Sequence, residues 1–415
     1  MRPSYGDLFR VFGRIGLLSF GGPAAQIALM HTELVDRHKW LKENQFLGAL
    51  SFCMLLPGPE AMQLATYAGW RLRGTLGGLI AGGLFVLPGA IVILVLAMGY
   101  SAFGQVPVIQ ALFTGIKATV VVIVIQALLS LSRRALKGWD SWALAGLGFT
   151  AMFFLSVPFP VIIAIAALWG VVMRPEFDAQ KREDHNVTSY IKTVKTALIW
   201  IAIWAAPVFL AWASGASFLT EVALFFSKLA VVTFGGAYAV LAYMTQAVVE
   251  THGWLTTPQM IDALGLAETT PGPLILVTQF VGHLAGYQEG GVTLALLAGV
   301  MTLWVTFTPC FLWIFIGAPY IETLLSRPRL KGALTSISAA VVGVILNLSV
   351  WFALHVIFAE VQTTALGPTP TLGSFNALSA AFVGVAALLL LGLRMSMILA
   401  LTLMAILAGG LHILM

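Results

Sequence analysis

Apolar runs of about 20 residues recur along almost the whole chain, separated by short polar punctuation. Wound as helices, runs of that length match the hydrocarbon thickness of a bilayer. The pattern predicts thirteen spans: 8–31, 46–66, 76–100, 106–131, 141–156, 158–173, 194–213, 219–247, 258–280, 290–316, 331–358, 374–391 and 394–414. The short pair 141–156 and 158–173 reads as one bent hairpin around Pro158 and Pro160. Residues 174–195, RPEFDAQKREDHNVTSYIKTVK, hold nine of the chain's 39 charged residues. This stretch is read as a cytoplasmic linker between two blocks of six spans, with 194–213 as an extra helix. The expected organisation is a first repeat at 1–173, a charged linker at 174–193, a connecting helix at 194–213 and a second repeat at 214–415.

The blocks are related. Sliding the chain by 214 residues lays 12–78 on 226–292 without a gap, with about 18 of 67 positions identical. FGG falls on FGG, His38-x-Trp40-Leu41 on His252-x-Trp254-Leu255, and Pro57-Gly58-Pro59 on Pro271-Gly272-Pro273. One extra span between two six-span repeats turns the second upside down. The expected fold is therefore an all-α polytopic membrane protein with two inverted-topology halves and discontinuous helices at the PGP motifs, as in many secondary transporters.

Composition agrees with that class. The chain is 59% hydrophobic and 9% charged, with mean hydropathy +0.95, against about 25% charged in soluble domains. The lipid bilayer is the implied partner. A net charge of +5 spread over loops orients them and does not suggest nucleic-acid binding. Cys53 and Cys310 lie in apolar spans of different halves, which argues against a structural disulfide. There is no Walker motif, no GxSxG nucleophile and no histidine cluster at metal spacing, so neither cofactor nor metal is expected. A membrane enzyme acting on lipid head groups would need such groups. The oligomeric state is not readable; a homodimer is a bare guess.

Lys and Arg collect at 71–73, 133–137, 174–195, 327–331 and Arg394, all on one side if the N-terminus is cytoplasmic and the C-terminus periplasmic. One loop, 32–45, dissents with Arg37, Lys39 and Lys42.

Within the spans the chemistry is sparse. Two prolines flanking a glycine make a continuous helix improbable at 57–59 and 271–273. The freed N–H groups at a new helix start suit an anion. Gly21-Gly22 and Gly235-Gly236 invite the same reading, with tight packing as the plain alternative. Five charges are counted inside spans: Arg14, Glu60, Lys117, Lys228 and Glu268. Each costs at least about 2.5 kcal/mol unless paired or hydrated. Three cations against two acids point to an anionic substrate. Gln26, Gln63 and Thr270 add neutral hydrogen-bonding groups. Glu60 and Glu268 are candidates for counter-charge or coupling. Glu60 is read as the structural partner of a cation in preference to a proton carrier.

The FGGP…Q stretch at 20–26, PGPEAMQLATYAGWRLRG at 57–74, and their weaker copies at 234–236 and 271–273 resemble the chromate ion transporter family. The resemblance implies a bacterial inner-membrane exporter of chromate that confers resistance to it. The matching positions are Gly21, Gly22, Pro23, Gln26, Pro57, Gly58, Pro59, Glu60 and Gln63. In the second half Leu274 replaces Glu60, Val277 replaces Gln63 and Val240 replaces Gln26, so the halves are expected to be inequivalent. Chromate as substrate comes from the family alone. Sulfate has the same shape and charge, and a sulfate-like uptake carrier on the same fold stays open.

Overall fold

The computed structural model describes residues 3–173, 190–234, 236–325, 327–364 and 367–414. Gly235 and most of the 174–193 linker lie outside the described residues. Sixteen α-helices form in them: α1 (Tyr5–Leu18), α2 (Gly22–His31), α3 (Glu43–Cys53), α4 (Glu60–Phe103), α5 (Pro107–Ala135), α6 (Trp139–Phe153), α7 (Phe159–Met173), α8 (Tyr190–Ala213), α9 (Ser217–Val232), α10 (Ala237–Gln246), α11 (Thr257–Thr269), α12 (Val277–Gly317), α13 (Ile321–Leu325), α14 (Pro328–Ile357), α15 (Ala377–Ala387) and α16 (Met397–Leu414). Among the described residues six helical stretches are long and apolar enough to cross a membrane: Glu60–Phe103, Pro107–Ala135, Ile191–Ala213, Leu274–Tyr320, Pro328–Ile357 and Met397–Leu414. The chain is an all-α polytopic membrane protein.

Several predicted spans are not single helices. Segment 8–31 is α1 and α2, and 219–247 is α9 and α10, each pair broken at its glycines. A 10-residue helix such as α2 is about 15 Å long, half of a core about 30 Å thick. Segments 46–66 and 258–280 break at their PGP motifs into α3 and α4, and α11 and α12. Conversely, the polar gap expected near 67–75 is helical up to a sharp break at Arg73-Gly74 inside α4. The loop 359–373 contains a small antiparallel hairpin, β1 (Val361–Thr364) and β2 (Gly367–Pro370), with Val361 opposite Pro370.

The two repeats fold through the same local irregularities. A π-turn at Thr32–Arg37 has its counterpart at Ala247–Thr251. Each is followed by a left-handed residue, Lys39 at φ 53° and Gly253 at φ 62°. His38 packs on Trp40, and His252 on Trp254.

Past the PGP motifs the gap-free alignment fails. The break at Gly74 (φ 70°, ψ −161°) recurs at Gly291 (φ 74°, ψ −162°), an offset of 217. The cause is a three-residue 3₁₀ turn, Leu274–Leu276, inserted after the second PGP. Helical contacts agree with the new register. A Cβ on Gly82 would strike Thr66, and one on Gly299 would touch His283. Glu60 and Gln63 therefore correspond to Val277 and Phe280, not to Leu274 and Val277.

The chain divides into two compact units that cut across the repeats. Unit 1 comprises Met1–Ala97, Pro175–Ala237 and Thr270–Lys331; unit 2 comprises Met98–Arg174, Tyr238–Thr269 and Gly332–Met415. In unit 1, α12 packs on α8 and α9. α8 leaves Leu198, Ile199, Ile201, Phe209, Leu210 and Trp212 exposed, the pattern of a helix facing lipid. In unit 2, α5 is the hub, packed by α11, α15 and α16. Ala118, Val122 and Ile123 of α5 share a core with Phe382 and Ala386 of α15 and Leu401, Met404 and Ala408 of α16.

Candidate functional site: the broken helices and the buried charges

Four helix breaks lie in unit 1, and hydrogen bonds join them across the repeats. The first helix of each repeat ends on a hydroxyl residue that bonds back into its own last turn. Ser19 Oγ donates to the Ile15 carbonyl at 2.6 Å, and Thr233 Oγ1 to the Leu229 carbonyl at 2.6 Å. Their backbone carbonyls then point away from the helix and accept from the opposite repeat. Gly58 N–H donates to the Thr233 carbonyl at 2.9 Å, and Gly272 N–H to the Ser19 carbonyl at 2.8 Å. Each PGP glycine thus docks on the end of the other repeat's first helix. The N–H groups of Gly58 and Gly272 are consumed in this way; the expectation for an anion concerns the helix starts that follow, at Glu60 and Val277.

Two glutamines complete the lock, and only the first repeat supplies them. Gln26 Nε2 donates to the Gly272 carbonyl at 2.7 Å and lies 3.4 Å from the Ser19 carbonyl. Gln63 Nε2 donates to the Pro57 carbonyl at 2.7 Å. Both are buried. Each satisfies a backbone acceptor that the break has orphaned. The Gln63 Oε1 atom is buried without a partner. Pro57, Gly58, Thr270, Pro271, Gly272 and Pro273 are buried, and Pro59 is half-buried. Gly21, Gly22 and Gly236 take φ of 87°, 78° and 102°. α2 opens at Gly21 with no side-chain cap on its first N–H groups.

The charges fall differently from the expectation. Arg14 and Lys228 lie on exposed faces of α1 and α9. Arg14 approaches Glu33 at 3.8 Å, and Glu33 also holds Arg37 at 3.2 Å and His38 at 3.5 Å. Glu60 opens α4 half-buried, and no described Lys or Arg lies within ion-pair distance of it. Among the described residues Glu60 therefore has no cationic partner in this structure.

Lys117 and Glu268 belong to unit 2. Lys117 Nζ lies 3.0 Å from Asp262 Oδ1, and Tyr100 Oη donates to Asp262 Oδ2 at 2.8 Å. Glu268 is buried and accepts from Tyr238 Oη at 2.9 Å. Asp262 was legible, since it lies inside the predicted span 258–280, but it was left out of the charge count. Lys117, one of the three cations the anion argument counts, thus faces an acid of its own. Ser19, Thr233, Glu33, Tyr100 and Tyr238 were also missed. Ser19 and Thr233 carry the one available signal, a conservative hydroxyl pair at the 214-residue offset just before FGG.

Long apolar helices and interlocked discontinuous segments define a polytopic membrane protein with the construction of secondary transporters. A family model described as "Chromate transporter" matches residues 6–171 and 220–411. The chain belongs to the chromate transporter family, a family of transport proteins and not of enzymes. It is 30% identical over 349 residues to a probable chromate transport protein of Synechococcus elongatus, covering 83% of this chain and 84% of the relative. It is 31% identical over 355 residues to a chromate transport protein of Pseudomonas aeruginosa, covering 82% and 79%. An uncharacterized transporter of Bacillus subtilis is 32% identical over 171 residues, which is 40% of this chain but 96% of that relative. No solved structure matches the chain.

Proposed function

We propose that this protein exports chromate across a bacterial inner membrane and so confers chromate resistance. Family membership carries the substrate: relatives matched over about four-fifths of the chain are named for chromate transport. The reciprocal docking of the PGP segments supports a mechanism in which the broken segments move as one body. The first repeat is 1–173, the linker 174–193 is cytoplasmic, 194–213 connects, and 214–415 is the second repeat in inverted orientation. A Bacillus relative of roughly one repeat's length supports that division. The N-terminus is cytoplasmic and the C-terminus periplasmic.

The drive is the membrane potential. One charge crossing 100 mV is worth about 2.3 kcal/mol, and a dianion leaving a cell that is negative inside gains about twice that. Lys117 contacts the substrate in unit 2; in unit 1, Arg14 and Lys228 serve as countercharge and the uncapped start of α2 offers N–H donors. The backbone at Gly21, Gly22, Gly235, Gly236, Thr270 and the two PGP motifs shapes the path. Glu60 and Glu268 supply proton exchange. The deciding experiment is radiolabelled chromate and sulfate flux in proteoliposomes at clamped voltage. Outward chromate flux that grows with interior-negative voltage is expected. Voltage-insensitive flux, or sulfate uptake with accompanying acidification, would replace export by a sulfate-like uptake carrier.

A further inference from the structure

The Lys117–Asp262 pair joins the two repeats, and the equivalent positions carry no such pair. At the 214-residue offset Asp262 falls on Gly48; further along, GIKATVVVIVIQ (115–126) resembles SISAAVVGVILN (336–347), which lays Lys117 on Ser338. It is also held rigidly. α11 and α5 pack together, and a Cβ on Gly265 would come within 2.6 Å of Ile116 Cγ2, beside Lys117. Tyr100 fixes the second carboxylate oxygen of Asp262. The Lys117 side chain is 24% exposed and that of Asp262 only 8%. The ammonium is therefore the open member of the pair, and the carboxylate the enclosed one.

An arriving anion meets Lys117 already neutralised. A dianion at Lys117 would stand beside the Asp262 carboxylate, and like charges at such range are strongly unfavourable. The repulsion is removed if Asp262 takes a proton, which leaves Lys117 charged and free to turn to the ligand. Few other groups compete. Among elements packed on α11, α5 offers Lys117 and, at its far end, the exposed Arg133 and Arg134. α16 offers only the exposed His412, near the chain end. Tyr100 donates from the end of α4, and Glu268, on α11 itself, is engaged by Tyr238.

We propose that the Lys117–Asp262 salt bridge is the closed state of the substrate site, and that an oxyanion opens it only together with a proton that binds Asp262. The proposal rests on the reading of Lys117 as the substrate's cation. The step is one proton from solvent onto one carboxylate oxygen, with Lys117 remaining an ammonium. A proton that leaves with the dianion lowers the charge moved per cycle from the two of the dianion alone to one, which halves the voltage drive but keeps it outward in a cell that is negative inside.

Two measurements on purified full-length protein test it, both within the pH range where chromate itself stays a dianion. In weakly buffered solution, adding chromate to the wild type should take up close to one proton per site; no uptake overturns the proposal without any variant. The chromate Kd of the wild type should rise with pH, approaching tenfold per unit when one proton is linked. Asp262→Asn should flatten that dependence and bind more tightly than wild type at the alkaline end. Lys117→Gln should lose binding at every pH, and so should the uncharged pair Lys117→Gln/Asp262→Asn, which leaves no unpaired charge to unfold it. An Asp262→Asn protein that keeps the wild-type slope, or loses affinity as Lys117→Gln does, sinks the coupling alone. A Lys117→Gln protein that binds chromate normally removes the reading of Lys117, and the proposal with it.

Discussion

The Gly272 amide donates to the Ser19 carbonyl at 2.8 Å, joining the second repeat's PGP motif to the end of the first repeat's first helix. The mirrored bond from Gly58 to Thr233, at 2.9 Å, makes the exchange mutual. Neither break can be relaxed on its own. Straightening one PGP segment would orphan a carbonyl in the opposite repeat, and a buried polar group without a partner costs about 1–3 kcal/mol. The pairing couples the repeats through backbone atoms, which explains how the contact persists where the flanking side chains have diverged.

Alanine at the two PGP glycines should not be equivalent. Gly58 holds φ 118° and Gly272 holds φ 89°, and a side chain there costs about 1–2 kcal/mol from the backbone alone. At Gly58 the new Cβ would also lie 2.9 Å from both Cys310 Sγ and Gln63 Nε2. At Gly272 its nearest neighbour is the flexible Leu276 Cδ1 at 3.1 Å. Gly58→Ala should therefore lower thermal stability in detergent more than Gly272→Ala. Cys310→Ala should recover part of the loss at Gly58 and none at Gly272. Additivity in both double variants would refute the packing account.

Gln26→Val copies the second repeat, where Val240 stands. It leaves the Gly272 carbonyl with one donor fewer in a buried site, for a loss of about 1–3 kcal/mol. The expected result is a lower Tm and slowed chromate flux, whereas Val240→Gln in the wild type should add nothing comparable. An unchanged Tm in Gln26→Val would show that the carbonyl finds another donor.

How much of this was legible in the sequence depended on the kind of signal. Hydropathy and the repeat exposed the class and the breaks, and the FGGP…Q and PGPEAMQLATY motifs carried the family resemblance, because apolar length, paired prolines and short motifs are local properties. The partners of the polar groups were not local. Gln26 reads as a substrate ligand until its amide is found on Gly272, 246 residues away. Glu60 reads as a counterion until the cations are located elsewhere. The three-residue turn Leu274–Leu276 escaped because it replaces one apolar run by another and leaves the hydropathy unchanged.

Arg14 offers a clean separation of stability from transport. Its side chain is 52% exposed and its contact with Glu33 is long, at 3.8 Å. Such pairs contribute about 0–1 kcal/mol, and Glu33 keeps Arg37 when Arg14 is removed. Arg14→Gln should therefore match the wild type in yield and Tm. If Arg14 lies on the anion's route, flux should fall severalfold in the same protein. Normal flux would reduce Arg14 to a surface residue.

The proposed orientation rests on the loop charges. Reporter fusions after Arg134 and within 174–193 should report cytoplasm, and a fusion at Met415 should report periplasm. A cytoplasmic C-terminus would give the chain an even number of crossings and remove the inverted repeat.

Glu60 opens α4 beside the first PGP with no cation at ion-pair distance among the described residues, and the outcome of Glu60→Gln follows from that. A carboxylate holding a buried cation would, on neutralisation, leave that cation unpaired and reduce folded yield at every pH. Glu60 holds none, so the amide should be tolerated, at a cost no larger than the lost charge–dipole attraction at the first turn of α4, about 0.3–1 kcal/mol. What the amide removes is the group proposed to exchange protons. In vesicles with voltage and pH gradient set independently, Glu60→Gln should match the wild type in yield, chromate binding and voltage-driven efflux. It should lose whatever acceleration a pH gradient gives the wild type. Glu268→Gln is the control: Glu268 is tied to Tyr238 at 2.9 Å, so its loss should disturb packing as well as proton exchange. A Glu60→Gln protein that folds poorly, or keeps its full response to the pH gradient, would return Glu60 to a structural role.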